Sequence, residues 1–133
     1  MFRIKYSREI ILKILYQIDV LKVAPPDSEE ILKNHLKFFR GPNRDEKEFI
    51  SKIVRLVLQE KSKIDRLIAT NLIGWKLERL TPIDRNLLRM GIAESQVNDK
   101  KAIVIDDIIR IAKKYSEHDA YKIINAILDK VIR

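Results

Sequence analysis

Apolar positions along this chain of 133 residues recur at spacings of one, three and four, a pattern typical of amphipathic helices. The first stripe predicts a helix from about Ser7 to Leu21, and Pro25-Pro26 brings it to an end. A second, shorter helix begins at Asp27 or Ser28, where a capping side chain precedes two first-turn acids. Gly41-Pro42-Asn43 ends that helix.

The middle of the chain predicts a third helix from Asp45 to about Leu72, with a kink at Lys61 to Lys63. A clear boundary follows, because Thr81-Pro82-Ile83-Asp84 provides a hydroxyl at the N-cap, proline at N1 and a carboxylate at N3. In the helix that starts there, inward and polar positions alternate with helical spacing. The inward set is Ile83, Leu87, Leu88, Met90 or Gly91, and Ile92, and the polar set is Asp84, Arg85, Asn86 and Arg89.

Two single residues between and within these helices have structural interpretations. Gly91 inside a helix costs about 1 kcal/mol relative to alanine, which a close helix crossing explains. Trp75, which follows Gly74, is expected to anchor a loop over the bundle.

Two further helices complete the pattern, one from about Lys101 to Tyr115 and a last one opened by a capping box at Ser116-Glu117-His118-Asp119. The chain has no internal repeat, low-complexity tract or flexible linker, and no convincing strand. The sequence therefore predicts an all-α fold, a compact single-domain bundle of about six to seven helices over residues 1–133. The inward face of the last helix consists of Ala120, Ile123, Ile124, Ile127, Leu128 and Val131.

Composition narrows the class of protein. Apolar residues make up 46% of the chain, which argues against disorder, and 27 Lys and Arg against 19 Asp and Glu leave a formal charge of +8. That excess makes a polyanionic partner plausible. No apolar stretch approaches the ~20 residues that span a bilayer, and the N-terminus lacks a secretory signal. A cytoplasmic location without membrane contact is expected.

Catalytic chemistry finds little support in the residues. Cysteine is absent, which excludes a thiol nucleophile and a thiolate metal site. No H-E-x-x-H, glycine-rich phosphate loop or G-x-S-x-G motif occurs, and His35 and His118 are far apart in the sequence. We therefore expect no enzymatic activity, no catalytic residue, no cofactor and no metal.

Two basic segments suggest contact with a polyanion. Four cations lie within the first thirteen residues, opposed there only by Glu9. In Lys113-Lys114-Tyr115 and Tyr121-Lys122, cations alternate with aromatic rings around a polar turn, which suits single-stranded nucleic acid. A solvated terminus and half-buried tyrosines are the plainer interpretation, and these residues alone leave both open.

Three segments in this order resemble the NusB family of transcription antitermination factors. They are SREIILKILYQIDV at residues 7–20, NLIGWKLERLTPIDRNLLRMGIAE at 71–94 and AIVIDDIIRIAKKYSEHDAYKIINAILDKV at 102–131. The resemblance implies an all-helical adapter that binds the single-stranded boxA element of ribosomal RNA leaders together with NusE, a small-subunit ribosomal protein. Other antitermination factors and RNA polymerase would be indirect partners, and a homodimer would cover the RNA surface.

The resemblance also implies which residues carry the function. Its RNA surface maps onto the N-terminal arm and the turn before the last helix: Arg3, Lys5, Arg8, Tyr115, Ser116, Asp119 and Lys122. The surface that faces NusE maps onto Asp84, Leu88 and Arg89 and onto the helix that follows them.

This chain departs from the family pattern in three places. Its arm is thinner in arginine, with Ile4 and Tyr6 interspersed, Ile123 stands where an aromatic residue is common, and Ala126 replaces a usual glycine. Two alternatives stay open. One is a protein-interaction module that binds an acidic partner without specific RNA recognition, and the other is the detached RNA-recognition domain of a ribosomal RNA cytosine methyltransferase.

Overall fold

A computed structural model describes residues 4–38, 41, 43–74 and 76–132 of the chain. These ranges contain seven α-helices and a single 3-10 turn at Leu77–Arg79, and none of their residues forms a strand. The predicted all-α bundle of six to seven helices is therefore confirmed. The helices are α1 (Ile4–Val20), α2 (Asp27–Phe38), α3 (Arg44–Gln59), α4 (Lys61–Thr70), α5 (Pro82–Ser95), α6 (Lys101–Tyr115) and α7 (Ala120–Ile132).

Helix α5 forms the centre of the bundle and contacts α1, α3, α4, α6 and α7. Because neighbours surround it, α5 is buried on most of its circumference, including most of the positions assigned above to its polar set. Its polar residues Asn86 and Arg89 are only 1% and 5% exposed. Within the described ranges, no helix combines the length and the apolar composition that crossing a bilayer requires.

The helix boundaries follow local chemistry that the sequence partly revealed. Thr81 caps α5 as predicted, since its side-chain oxygen accepts a hydrogen bond from the Asp84 amide at 3.1 Å. The long third helix is broken at Glu60, whose backbone (φ −101°, ψ 13°) leaves helical geometry one residue before the predicted kink. The chain therefore forms two helices there, α3 and α4.

The predicted capping box at Ser116 is wrong. Ser116 closes α6 instead, with its amide bonded to the Ala112 carbonyl, and its hydroxyl donates to the Asp84 carboxylate at 2.6 Å. A capping box does form at the start of α3, where Asn43 and Glu46 exchange hydrogen bonds.

Gly91 lies where α5 crosses α6 and α7 closely, as its presence inside a helix predicted. A Cβ atom at Gly91 would lie 3.3 Å from a methyl of Leu128 and 3.4 Å from Ile108. The missing side chain therefore lets three helices approach one another around the core.

A network of charged and polar side chains joins the end of α1 to α4 and α5. The Asp19 carboxylate accepts hydrogen bonds from Arg85 at 2.6 and 2.8 Å, from Asn86 at 2.8 Å and from Arg89 at 3.0 Å. Arg89 also donates to both oxygens of Asp65, at 2.8 and 3.0 Å. Burial by itself opposes ionisation of Asp19, but these hydrogen bonds and the two guanidinium charges outweigh it, and the pKa of Asp19 lies below its ordinary value.

This network predicts a specific loss of stability in acid. The pKa of Asp19 is lowered on folding, so its contribution to the free energy of unfolding is complete above its ordinary pKa of 3.8 and is lost as pH falls through the folded value. Asp19→Asn should lower the free energy of unfolding by about 1.5–3 kcal/mol at pH 7. In urea denaturation followed from pH 7 downwards, the gap between wild type and Asp19→Asn should close below pH 3.8.

Asp99→Asn is the matched control, because Asp99 is exposed and makes no ion pair among the described residues. Its stability profile should follow wild type throughout. An Asp19→Asn variant as stable as wild type at pH 7 would contradict the role assigned to the network.

Candidate nucleic-acid interface

Arg8 lies at the junction of α1, α5 and α6 and is only 1% exposed. Its Nε and Nη2 atoms donate to the two Glu94 carboxylate oxygens at 2.8 and 2.5 Å, and Nη1 donates to Asp107 at 2.9 Å. Burial disfavours the cation, yet the hydrogen bonds and charges of the two carboxylates outweigh it and hold the pKa of Arg8 above its ordinary value. All three nitrogens of the Arg8 guanidinium therefore donate to carboxylates inside the protein.

The expectation that Arg8 contacts an RNA phosphate is therefore corrected. A buried side chain whose donors are held by two carboxylates cannot reach a ligand in solvent. The partners lie 86 and 99 residues away along the chain, so no local pattern around Arg8 could identify them.

The next residue, Glu9, connects α1 to the end of α6. Its Oε1 atom accepts hydrogen bonds from Lys114 Nζ and from the Tyr115 hydroxyl, each at 2.8 Å, and its Oε2 atom lies 3.5 Å from Arg110 Nη1. Lys5 is exposed one helical turn before Glu9 and so lies on the same face of α1. Since α1 already starts at Ile4, Lys5 belongs to the first turn of this helix rather than to an extended arm.

The turn between α6 and α7 is fixed by specific bonds. Ser116 donates to Asp84 at the start of α5, and Asp119 adopts a left-handed backbone with φ of 71°. The Asp119 carboxylate lies 3.5 Å from Lys122 Nζ on the first turn of α7. Lys113 Nζ sits 4.8 Å from the centre of the Tyr121 ring and so links the two helices by a cation–π contact.

The end of α6, the start of α7 and the face of α1 that carries Glu9 define a surface that we call the basic corner: Lys5, Lys113, Lys114, Tyr115 and Lys122. Tyr115 is 36% exposed, so its ring is neither sealed in the core nor free on all sides. Its hydroxyl is held by Glu9, and Lys114 Nζ lies 5.1 Å from its ring centre. The basic corner thus offers several ammonium groups around one accessible aromatic face.

A groove of about 330 Å³ adjoins the turn and runs toward the 3-10 segment. Its lining includes Leu80, Asp84, Asp119 and Ile123. Ile123 is 45% exposed, so its predicted position on the inward face of α7 is wrong. It lies one step off the stripe of Ile124 and Leu128, which face the core.

The remaining predicted site residues fall in different surroundings. Asp84 is 9% exposed at the rim of this groove, whereas Leu88 and Arg89 lie deeper along α5 and are 0% and 5% exposed. The expectation that Leu88 and Arg89 face a protein partner is therefore corrected, because the central position of α5 buries them. Arg3 and Trp75 lie outside the described residues.

Sequence reasoning missed Glu9 and Arg110 as parts of this site. Glu9 counted only as a charge opposed to the basic segment, although its position four residues after Lys5 placed it on the same face. Arg110 holds both Glu9 and Asp107, the latter at 2.6 Å, and one of its nitrogens, Nη2, is buried without a partner in the described chain.

Comparison with known proteins relates this chain to one family. A model described as the NusB family matches residues 5–133 of this chain. The transcription antitermination protein NusB of Acetivibrio thermocellus is 33% identical over 129 residues, which cover 96% of this chain and 86% of the relative. NusB of Clostridium novyi is 34% identical, and the match covers 96% of both chains.

Solved structures share the fold as well. T. maritima NusB has a TM-score of 0.87 at 30% identity, with 99% of this chain and 92% of that chain covered. A chain in the crystal structure of antitermination factors NusB and NusE in complex with dsRNA has a TM-score of 0.86 at 27% identity. That match covers 96% of this chain and 94% of the other.

The two basic residues on neighbouring turns of α1 should differ sharply when truncated. Arg8→Ala leaves two buried carboxylates without their cation and should lower the free energy of unfolding by about 3–5 kcal/mol. Lys5→Ala, on the exposed face, should change it by less than about 0.5 kcal/mol. Urea denaturation at neutral pH measures both, and equal stability of the two variants would contradict the buried position of Arg8.

Proposed function

Since this chain belongs to the NusB family of transcription antitermination proteins, we propose that it is a non-enzymatic adapter which binds single-stranded boxA RNA together with a NusE-type ribosomal protein. The basic corner is the observation that carries this proposal, because it combines ammonium groups from α1, α6 and α7 with one accessible ring. The structurally similar NusB that was solved in complex with NusE and dsRNA supports NusE and RNA as classes of partner.

The chemistry of the basic corner suits an extended ribonucleotide chain. Lys5, Lys113 and Lys122 would contact phosphates, which fixes the position of the strand but carries no sequence information. The Tyr115 ring would stack on one unpaired base. Ser116 and Asp119, in the adjoining turn, would bond to base edges, and the groove beside Ile123 offers an apolar surface to a neighbouring base.

The protein partner would bind at the N-terminal end of α5, where Asp84 lies near the surface. Next to it, Ile83 and the 41% exposed Tyr16 line a shallow groove between α5 and α1. This surface replaces the one expected from Leu88 and Arg89, which the bundle buries. It lies close to the RNA turn through the bond between Ser116 and Asp84, so one partner could contact both protein and RNA.

The similarity also bears on the setting in which the chain acts. The relatives compared above are named transcription antitermination proteins, which favours an antitermination factor over the RNA-recognition part of a methyltransferase. We propose that residues 1–133 act as one domain in the cytoplasm, where nascent ribosomal RNA is made, and that RNA polymerase is reached through other factors.

A salt titration of RNA binding tests the proposal directly. Lys5, Lys113 and Lys122, the lysines of the basic corner that Glu9 does not hold, give an expected slope of log affinity against log salt of about −2 for a single strand, at roughly −0.7 for each phosphate contacted. Tyr115→Ala should weaken binding by ~1–3 kcal/mol without changing that slope, because it removes stacking and no charge. Tyr115→Phe is the matched control, since it keeps the ring and loses only the hydroxyl.

The RNA series should compare boxA, a scrambled strand and a duplex of the boxA sequence, each with and without NusE. Preference for boxA in the ternary mixture is the expected result. A flat salt response in every mixture would overturn RNA binding and favour a protein-interaction module that binds an acidic partner.

A further inference from the structure

Glu9 places a carboxylate in the middle of the basic corner. Its side chain is 17% exposed, and three donors from α6 converge on it: the Lys114 ammonium, the Tyr115 hydroxyl and the Arg110 guanidinium. Lys114 and Arg110, by contrast, keep 54% and 37% of their side chains exposed. The anion is thus the enclosed group, and its cations reach solvent.

The groups around Glu9 form the donor set that a phosphodiester would use. Phosphate oxygens in protein complexes accept hydrogen bonds from lysine, arginine and hydroxyl side chains. An RNA strand that crosses the basic corner therefore meets donors already engaged by an internal anion. A phosphate and the Glu9 carboxylate cannot both take Lys114 and Tyr115 without repelling each other.

The charge balance shows which cation Glu9 withholds. The Arg8 charge is matched inside the protein by Glu94 and Asp107, and Arg110 also holds Asp107 at 2.6 Å. Lys114 has Glu9 as its one carboxylate partner among the described residues. Neutralising Glu9 would therefore release one full ammonium charge at the centre of the surface.

We propose that Glu9 is an internal competitor of the RNA phosphate, which holds Lys114 and the Tyr115 hydroxyl and so withholds them from a bound strand. This inference rests on the proposed RNA-binding function and adds to it an autoinhibitory contact that lowers affinity for any polyanion. Glu9 carries its negative charge at neutral pH. Burial opposes its ionisation, but the bonds from Lys114 and Tyr115 and the nearby charges hold the pKa of Glu9 below its ordinary value.

The consequence for recognition is a filter against weak polyanions. A ligand that offers only backbone charge either breaks the Glu9 contacts or binds without Lys114. Both reduce its affinity. A strand that also stacks on Tyr115 gains additional stabilisation and so tolerates this cost. Glu9 would thereby raise the ratio of specific to non-specific binding rather than the affinity itself.

Glu9→Gln tests this, because it removes the charge and keeps the size of the side chain. If Lys114 becomes free to contact a phosphate, the slope of log affinity against log salt should steepen by about 0.7 for a single strand. Over one decade of salt concentration, a slope that is steeper by 0.7 corresponds to about a fivefold change in affinity. The affinity for boxA RNA at 0.1 M salt should therefore rise by about this factor. A scrambled strand should gain by a larger factor than boxA, so selectivity falls.

Glu30→Gln provides the matched control. Glu30 is exposed on α2, its side chain makes no bond within the described ranges, and its substitution raises the net charge by the same single unit. It should leave affinity and slope near wild type. In the Glu9→Gln background, Lys114→Ala should return the slope to the wild-type value, whereas alone it should have a much smaller effect.

Thermal unfolding of each variant shows that the comparison is made on folded protein. Unchanged or weaker RNA binding by folded Glu9→Gln, with wild-type binding and salt dependence as proposed, would overturn Glu9 as a competitor and leave it a positioning residue. Wild-type protein without salt-dependent binding would instead overturn the proposed function, and this inference with it.

Discussion

The structure depends on a buried cation shared by three helices. Removing a guanidinium from water costs several kcal/mol, and Arg8 is tolerated in the interior only because Glu94 and Asp107 surround it with carboxylate oxygens. A bidentate pair accepts a narrow range of orientations. Arg8 therefore fixes how α1 lies against α5 and α6, and the next residue, Glu9, then reaches the end of α6. The buried ion pair of Arg8 thus helps to position the α1 and α6 residues of the basic corner.

The central helix organises the rest in a similar manner. Apolar residues of α5 face the core on several sides, while its polar side chains reach neighbours that would otherwise have unpaired groups. Arg85 and Arg89 bind Asp19 at the end of α1, and Asp84 accepts the hydroxyl of Ser116 in the turn before α7. Polar groups on α5 thus orient the surrounding elements, which explains why so many of them are buried. The side chains of the basic corner, by contrast, lie at the surface.

Local patterns predicted the parts of the molecule that local chemistry determines. The hydroxyl of Thr81 before a proline specified the start of α5, and helical spacing of apolar residues specified the bundle. The same reasoning failed where distant contacts decide. The bond from Ser116 to Asp84 replaced a cap that its sequence context favoured, and carboxylates far along the chain drew Arg8 inward. Periodicity also misplaced Ile123, since a residue beside the buried stripe follows the same spacing whether or not a neighbouring helix covers it.

Together these features support the proposal of an adapter whose RNA surface is assembled from helix ends and restrained by the Glu9 carboxylate. The most direct measurement is an NMR titration of the isotope-labelled protein with boxA RNA, which reports every backbone amide at once. Shifts should concentrate around Lys5, Glu9, Lys114, Tyr115 and Lys122, with α3 unaffected. Shifts centred on the exposed basic face of α3, around Arg44 and Lys52, with the basic corner unchanged, would contradict this proposal.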